Sequence, residues 1–153
     1  MLAHADRVFL THIPVPTPKG WLGFAYSSCI RPMPSVNQPH TASAAAVRHT
    51  LDALRNEGRI RIDAEEAAAI AYALDGLYAN AIDLFGSRTD PDKRGGDIDI
   101  LIRTSAPAYE TSQRVAVRFF SRCEEKIDVV VLSEDLTPAQ QDFLQRLNRV
   151  PVL

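Results

Sequence analysis

The chain has 153 residues, enough for one ordinary domain, and its 46% hydrophobic and 24% charged residues match a soluble globular protein. Seventeen Lys and Arg against nineteen Asp and Glu leave a net charge of −2, which supplies no broad positive field for gripping a nucleic-acid backbone. No apolar run approaches the roughly 20 residues that cross a bilayer, so neither a membrane span nor a membrane partner is expected.

The N-terminus lacks a basic segment leading into an apolar core. Pro14, Pro16 and Pro18 stand where such a core would lie, which points away from secretion and toward the cytoplasm. Cys29 and Cys123 are the only cysteines, and no CxxC or Cys/His cluster suggests zinc; reduced thiols are expected. The first 43 residues hold six of the ten prolines but only four charged residues, Asp6, Arg7, Lys19 and Arg31. Proline fixes φ and removes a backbone donor, so residues 1–43 read as a Pro-rich, poorly ordered extension, with Met33 as a second candidate start. Residues 44–153 read as the domain.

From there the pattern is regular. Ser43 is placed to cap a helix over 44–56, with Val47, Leu51 and Leu54 on one face and Gly58 after its end. Asp63 is placed to cap a second, alanine-rich helix from Ala64 to about Tyr78, with Glu65 and Glu66 in its first turn. Residues 81–85, 97–103 and 126–132 read as strands. A helix over 107–123 joins the last two, and Thr137-Pro138 opens a final helix to about Asn148. This order predicts an α/β (α+β) domain: a small mixed sheet of three or four strands flanked by helices. The strands holding Ile98–Ile102 and Val129–Leu132 are nearly all apolar and are expected to be central.

The informative segment is Leu84-Phe85-Gly86-Ser87-Arg88, a polar loop, then Asp97-Ile98-Asp99-Ile100. Aspartate is unfavourable in strands, yet two sit at i and i+2 here, on one face, with Ile98 and Ile100 on the other. Carboxylates held side by side repel, and burial adds to the cost. A divalent cation removes both problems, and hard oxygen ligands suit Mg²⁺. Asp128, isolated in the apolar run 127–132, joins them if its strand is adjacent. Three such acids suit one or two metal ions, roughly 3.5–4 Å apart in two-metal sites. Gly86 admits a phosphate close to the backbone, and the Ser87 hydroxyl and nearby N–H groups offer donors to it. Alone, a Gly-Ser is a turn, an Asp-x-Asp a strand end, and Asp128 an exposed strand residue. In this order and setting the three together favour a nucleoside triphosphate site. Lys93 and Arg94 read as solvated loop residues.

Gly86-Ser87, nine intervening residues, Asp97-Ile98-Asp99, and then Ile127-Asp128-Val129 resemble the signature of the DNA polymerase β-like nucleotidyltransferase superfamily. The short length and the run Leu-Phe-Gly-Ser-Arg…Gly-Gly-Asp-Ile-Asp are most similar to its minimal (MNT-type) members. The resemblance covers residues 78–132 directly and 44–153 by element order. It implies the nucleotidyltransferase fold. It further implies Gly86, Ser87 and Arg88 on the nucleotide, and Asp97, Asp99 and Asp128 as metal-binding catalytic acids. The implied reaction is Mg²⁺-dependent transfer of a nucleoside monophosphate, AMP by default, from ATP or another triphosphate to a hydroxyl acceptor. It implies as acceptor a partner protein such as a HEPN-type toxin, in a toxin–antitoxin system.

The Pro-rich extension departs from the minimal pattern, and nothing after residue 132 is long enough for a separate substrate domain. Two alternatives follow: transfer to a small hydroxylated molecule, or a non-catalytic partner-binding protein that keeps the fold. Three carboxylates in apolar strands are costly without metal and favour the enzyme.

Overall fold

The computed structural model describes residues 40–153; residues 1–39 of the expected extension, with Cys29, lie outside the described residues. His40–Thr41 form a two-residue strand, β1, so the described domain starts ahead of the composition change at residue 43. Helix α1 spans Ala44–Asn56, as its spacing predicts, and buries Val47, Leu51 and Leu54. Ser43 makes no side-chain cap. The first amide of α1 instead donates to Asp75 Oδ1 at 2.9 Å, a carboxylate 31 residues away.

Helix α2 spans Ala64–Leu74. Asp63 caps it through a reciprocal box: its carboxylate accepts from the Glu65 and Glu66 amides, and Glu66 Oε2 accepts from the Asp63 amide. The helix stops four residues short of Tyr78 because Asp75 leaves helical geometry (ψ 129°), and that turn aims its carboxylate at α1. Tyr78–Ala79 then form β2, antiparallel to β1. Seven of the eleven α2 residues are buried, since α2 packs between α1 and the next helix.

Strand β3 is Ala81–Phe85, and a 3₁₀ turn over Gly86–Thr89 follows it. Strand β4 is Ile98–Arg103, helix α3 is Ala108–Phe120 and strand β5 is Ile127–Leu132. Helix α4, Pro138–Arg146, has proline in its first turn and Thr137 and Gln140 in a second capping box. Strand β6, Arg149–Pro151, has no counterpart in the sequence pattern. It is three residues long, follows the expected end of the last helix near Asn148, and is too short to show a period of its own.

The result is a mixed α/β domain with four helices and a four-stranded mixed sheet of order β5-β4-β3-β6 among the described residues. β4 runs parallel to β5 and antiparallel to β3, and β6 is antiparallel to β3. β4 is central, as its apolar run implies. β5 is not: it lies at an edge of the sheet, and its apolar side chains are covered from the two faces rather than by a second neighbouring strand. Alternation divides the core. Ile82, Leu84, Ile98, Ile100 and Ile102 face the layer of α1, α2 and α3 with Val47, Ile70 and Phe119. Phe85, Leu101 and Leu132 face the other way, onto Leu144 of α4.

Ile100 is fully buried in the central strand. Ile100→Ala is expected to lower the unfolding free energy by about 2–5 kcal/mol, read by urea denaturation. Val117→Ala, on the exposed side of α3, serves as the unperturbed control.

Candidate functional site

The sheet face shared with α4 carries the three acids at one end. Asp99 is the second residue of β4 and lies directly opposite Asp128 in the parallel register with β5. On its other side Asp99 is paired with Phe85, the last residue of β3. Asp97 immediately precedes β4 and is exposed, as is Asp128, whereas Asp99 is half-buried. Ile98 between the first two acids points into the helix-side core, so the i, i+2 spacing does put Asp97 and Asp99 on the opposite face.

These surroundings raise the Asp99 pKa above the ordinary 3.8: burial does most, and the charges of Asp128 and then Asp97 add to it. Asp99 therefore lies close enough to the other two acids expected from sequence to feel their charge. Among the described residues no three His, Cys, Asp or Glu side chains close into a cage able to hold a metal ion alone. Mg²⁺ does not require one, because it commonly binds through one or two carboxylates and completes its shell with water and substrate phosphates.

The Gly86–Thr89 turn lies directly against this pair. Gly86 has φ +74°, and a Cβ there would sit 3.0 Å from Asp99 Cγ and collide with Oδ2. The missing side chain thus lets the backbone rest on the carboxylate. Gly96, at the far end of the loop, plays the same part for Ser87: a Cβ on it would sit 3.1 Å from Ser87 Cβ and collide with Oγ. The turn and the entry to β4 interlock through two glycines. Thr89 Oγ1 donates to Gly86 O at 2.8 Å and closes the turn from within.

Arg88 follows the Gly-Ser pair but points into the protein. Its Nη2 lies 3.0 Å from Glu66 Oε1, Nε donates to Gly96 O at 3.0 Å, and Nη1 donates to Arg61 O at 3.0 Å. Its side chain is only 13% exposed, so this geometry makes it a brace of the turn. Sequence reasoning misses Arg61. Its Nε donates to Asp90 O at 3.0 Å and its Nη2 to Ser87 O at 3.1 Å and Gly95 O at 2.8 Å. The only local signal is its place between buried Ile60 and Ile62, which turns its side chain away from theirs without saying toward what. Lys93 is 62% exposed and lies 3.7 Å from Asp90 Oδ2, a solvated loop residue as expected.

A cleft of about 460 Å³ is lined by Asp63, Glu65, Phe120, Cys123 and Glu125 among others. Its carboxylates give it the wrong sign for a phosphate, so it is set apart from the Gly86–Asp99 site. Comparison with protein-family models, with curated proteins and with solved structures finds no match.

Gly86→Ala, which adds a side chain at positive φ against Asp99, is expected to lower stability by about 1–3 kcal/mol in urea denaturation. The raised Asp99 pKa means that the native state holds this proton more tightly than the unfolded chain. The resulting stabilisation is complete below 3.8 and is lost as pH rises through the raised native value. In EDTA, wild type is therefore expected to fall behind Asp99→Asn as pH climbs from 3.8 toward neutrality, with the two meeting at the acid end. Parallel stability curves across that range would contradict the coupling.

Proposed function

We propose that the chain is a Mg²⁺-dependent nucleotidyltransferase resembling the minimal members of the DNA polymerase β-like superfamily. The observation that carries the reading is the Gly86-Ser87 turn resting on Asp99 while Asp97 and Asp128 flank it. A glycine that admits no side chain, backbone donors and neighbouring acids at one end of the sheet suit a triphosphate with its cation. The mixed sheet flanked by helices is compatible with the nucleotidyltransferase fold.

In this reading Asp97, Asp99 and Asp128 would hold Mg²⁺ together with the triphosphate oxygens, which would relieve the repulsion among the acids. Mg²⁺ there would supply charge neutralisation for the triphosphate and acidify the acceptor hydroxyl. Gly86 and Ser87 receive the phosphates through backbone N–H groups and the serine hydroxyl. Asp128, exposed at the edge of the sheet, takes the acceptor proton. The acceptor oxygen bonds to the α-phosphorus in line, the bond from the α-phosphorus to the β-phosphate oxygen breaks, and pyrophosphate departs. Arg88 braces the turn from behind. ATP is the proposed donor, and a hydroxyl on a partner protein, such as a tyrosine of a HEPN-type toxin, is the proposed acceptor.

The test uses α-phosphate-labelled ATP with Mg²⁺, the purified protein and a lysate of its own source. Wild type is expected to label one protein band, and Asp97→Asn/Asp99→Asn none. Label on a small molecule would move the acceptor to a hydroxylated metabolite. Full activity of Asp97→Asn would overturn the assignment, and no label with any triphosphate would favour a partner-binding protein.

A further inference from the structure

Two guanidinium nitrogens of Arg61 and one of Arg88 are committed to the back of the loop that carries Gly86, Ser87 and Asp97. Together they take up the carbonyl oxygens of Ser87, Asp90, Gly95 and Gly96. The two arginines are also tied to each other: the Arg61 amide donates to Arg88 O at 2.8 Å, and Arg88 Nη1 donates back to Arg61 O. Glu66 completes the assembly, with one carboxylate oxygen on Arg88 and the other on the Asp63 amide at the start of α2. The loop is thereby fixed to the first turn of a buried helix.

The direction of these bonds matters. Every peptide bond in the described chain is trans, so each C=O and the N–H that follows it point opposite ways. Pulling the carbonyls of Ser87, Gly95 and Gly96 onto the guanidiniums turns the N–H groups of Arg88, Gly96 and Asp97 away from them. That leaves three backbone donors on the side of the turn away from the arginines, available to anionic oxygens. Without Arg61, three carbonyls lose their cationic donor, and a loop with adjacent glycines at positions 95 and 96 has little else to fix its peptide planes.

We propose that Arg61 is a positioning residue that presets these backbone N–H groups for the phosphates of an oligophosphate ligand. This rests on the nucleotidyltransferase reading above and deepens it. Arg61 touches no substrate; it acts through the loop it holds. It therefore governs affinity for phosphates while leaving the acids able to take a cation by themselves.

The experiment measures three dissociation constants for wild type, Arg61→Ala and Arg61→Lys. The probes are Mn²⁺ alone, Mg²⁺ with α,β-methylene-ATP, and Mg²⁺ with inorganic tripolyphosphate. Arg61→Ala is expected to weaken both phosphate ligands about tenfold, the loss of charge-assisted hydrogen bonds, and by the same factor because the base is not involved. Mn²⁺ affinity is expected to stay at the wild-type value. Arg61→Lys is expected to lie between, since one ammonium cannot reproduce the fork that reaches three carbonyls; it carries the test alone if Arg61→Ala does not fold. Wild-type phosphate affinity in both variants overturns the positioning role alone. Parallel loss of Mn²⁺ and phosphate binding also overturns it, as a merely structural defect. A wild type that binds neither phosphate ligand overturns the nucleotidyltransferase reading, and this inference with it.

Discussion

The parallel pairing of β4 with β5 is the constraint on which the rest of the site depends. It sets Asp99 opposite Asp128, and it does so through strands whose alternate residues are locked into a hydrophobic core. Ile98, Ile100 and Ile102 cannot leave the helix-side core, so Asp99 cannot leave the opposite face. A one-residue slip would bury the carboxylates among α1, α2 and α3. The repulsion between the acids is therefore held in place by burial elsewhere on the same strands. Fully burying one isoleucine is worth roughly 1.5–3 kcal/mol, and β4 alone buries three on that face.

A second layer of organisation works at right angles to the sheet. The turn after β3 has to reach back over the start of β4, and the chain achieves this by omission and by tethering. Two glycines omit the side chains that would separate turn and strand. Two arginines tether the loop to the beginning of α2. Neither device is apolar, and neither contributes to the core; both act on backbone placement. The proposed phosphate chemistry belongs to this layer, and the proposed metal chemistry to the sheet.

The division explains what the sequence reveals. Features written in local sequence are legible: the bounds of α1 and β3, the Asp63 cap of α2, the Pro138 start of α4, and the shared face of Asp97 and Asp99. The joining of Asp128 to that pair is legible only conditionally, because it needs β4 and β5 to be neighbours. Features that depend on partners far along the chain are not legible. Ser43 looks like the cap of α1, but Asp75 takes that place, and this in turn ends α2 early. Arg61 looks like any exposed residue between two buried isoleucines. β6 is too short to carry a period and owes its conformation to the open edge of β3. Arg88 shows that proximity to a motif does not fix the direction of a long side chain.

That open edge of β3 has a consequence for how the chain reaches its folded state. Asp83 in β3 is buried, and its carboxylate is met by Arg149 Nη1 at 2.8 Å, from a residue 66 positions later. Val152 and Leu153 complete the closure by donating to Ile82 O. Until residues 149–153 leave the ribosome, β3 has a free edge and a carboxylate whose burial is uncompensated. Strand pairing over such a separation is slow and comes late. During synthesis the sheet thus waits on residues 149–153, and a nascent chain halted before Arg149 would keep Asp83 in water and its strand unsealed.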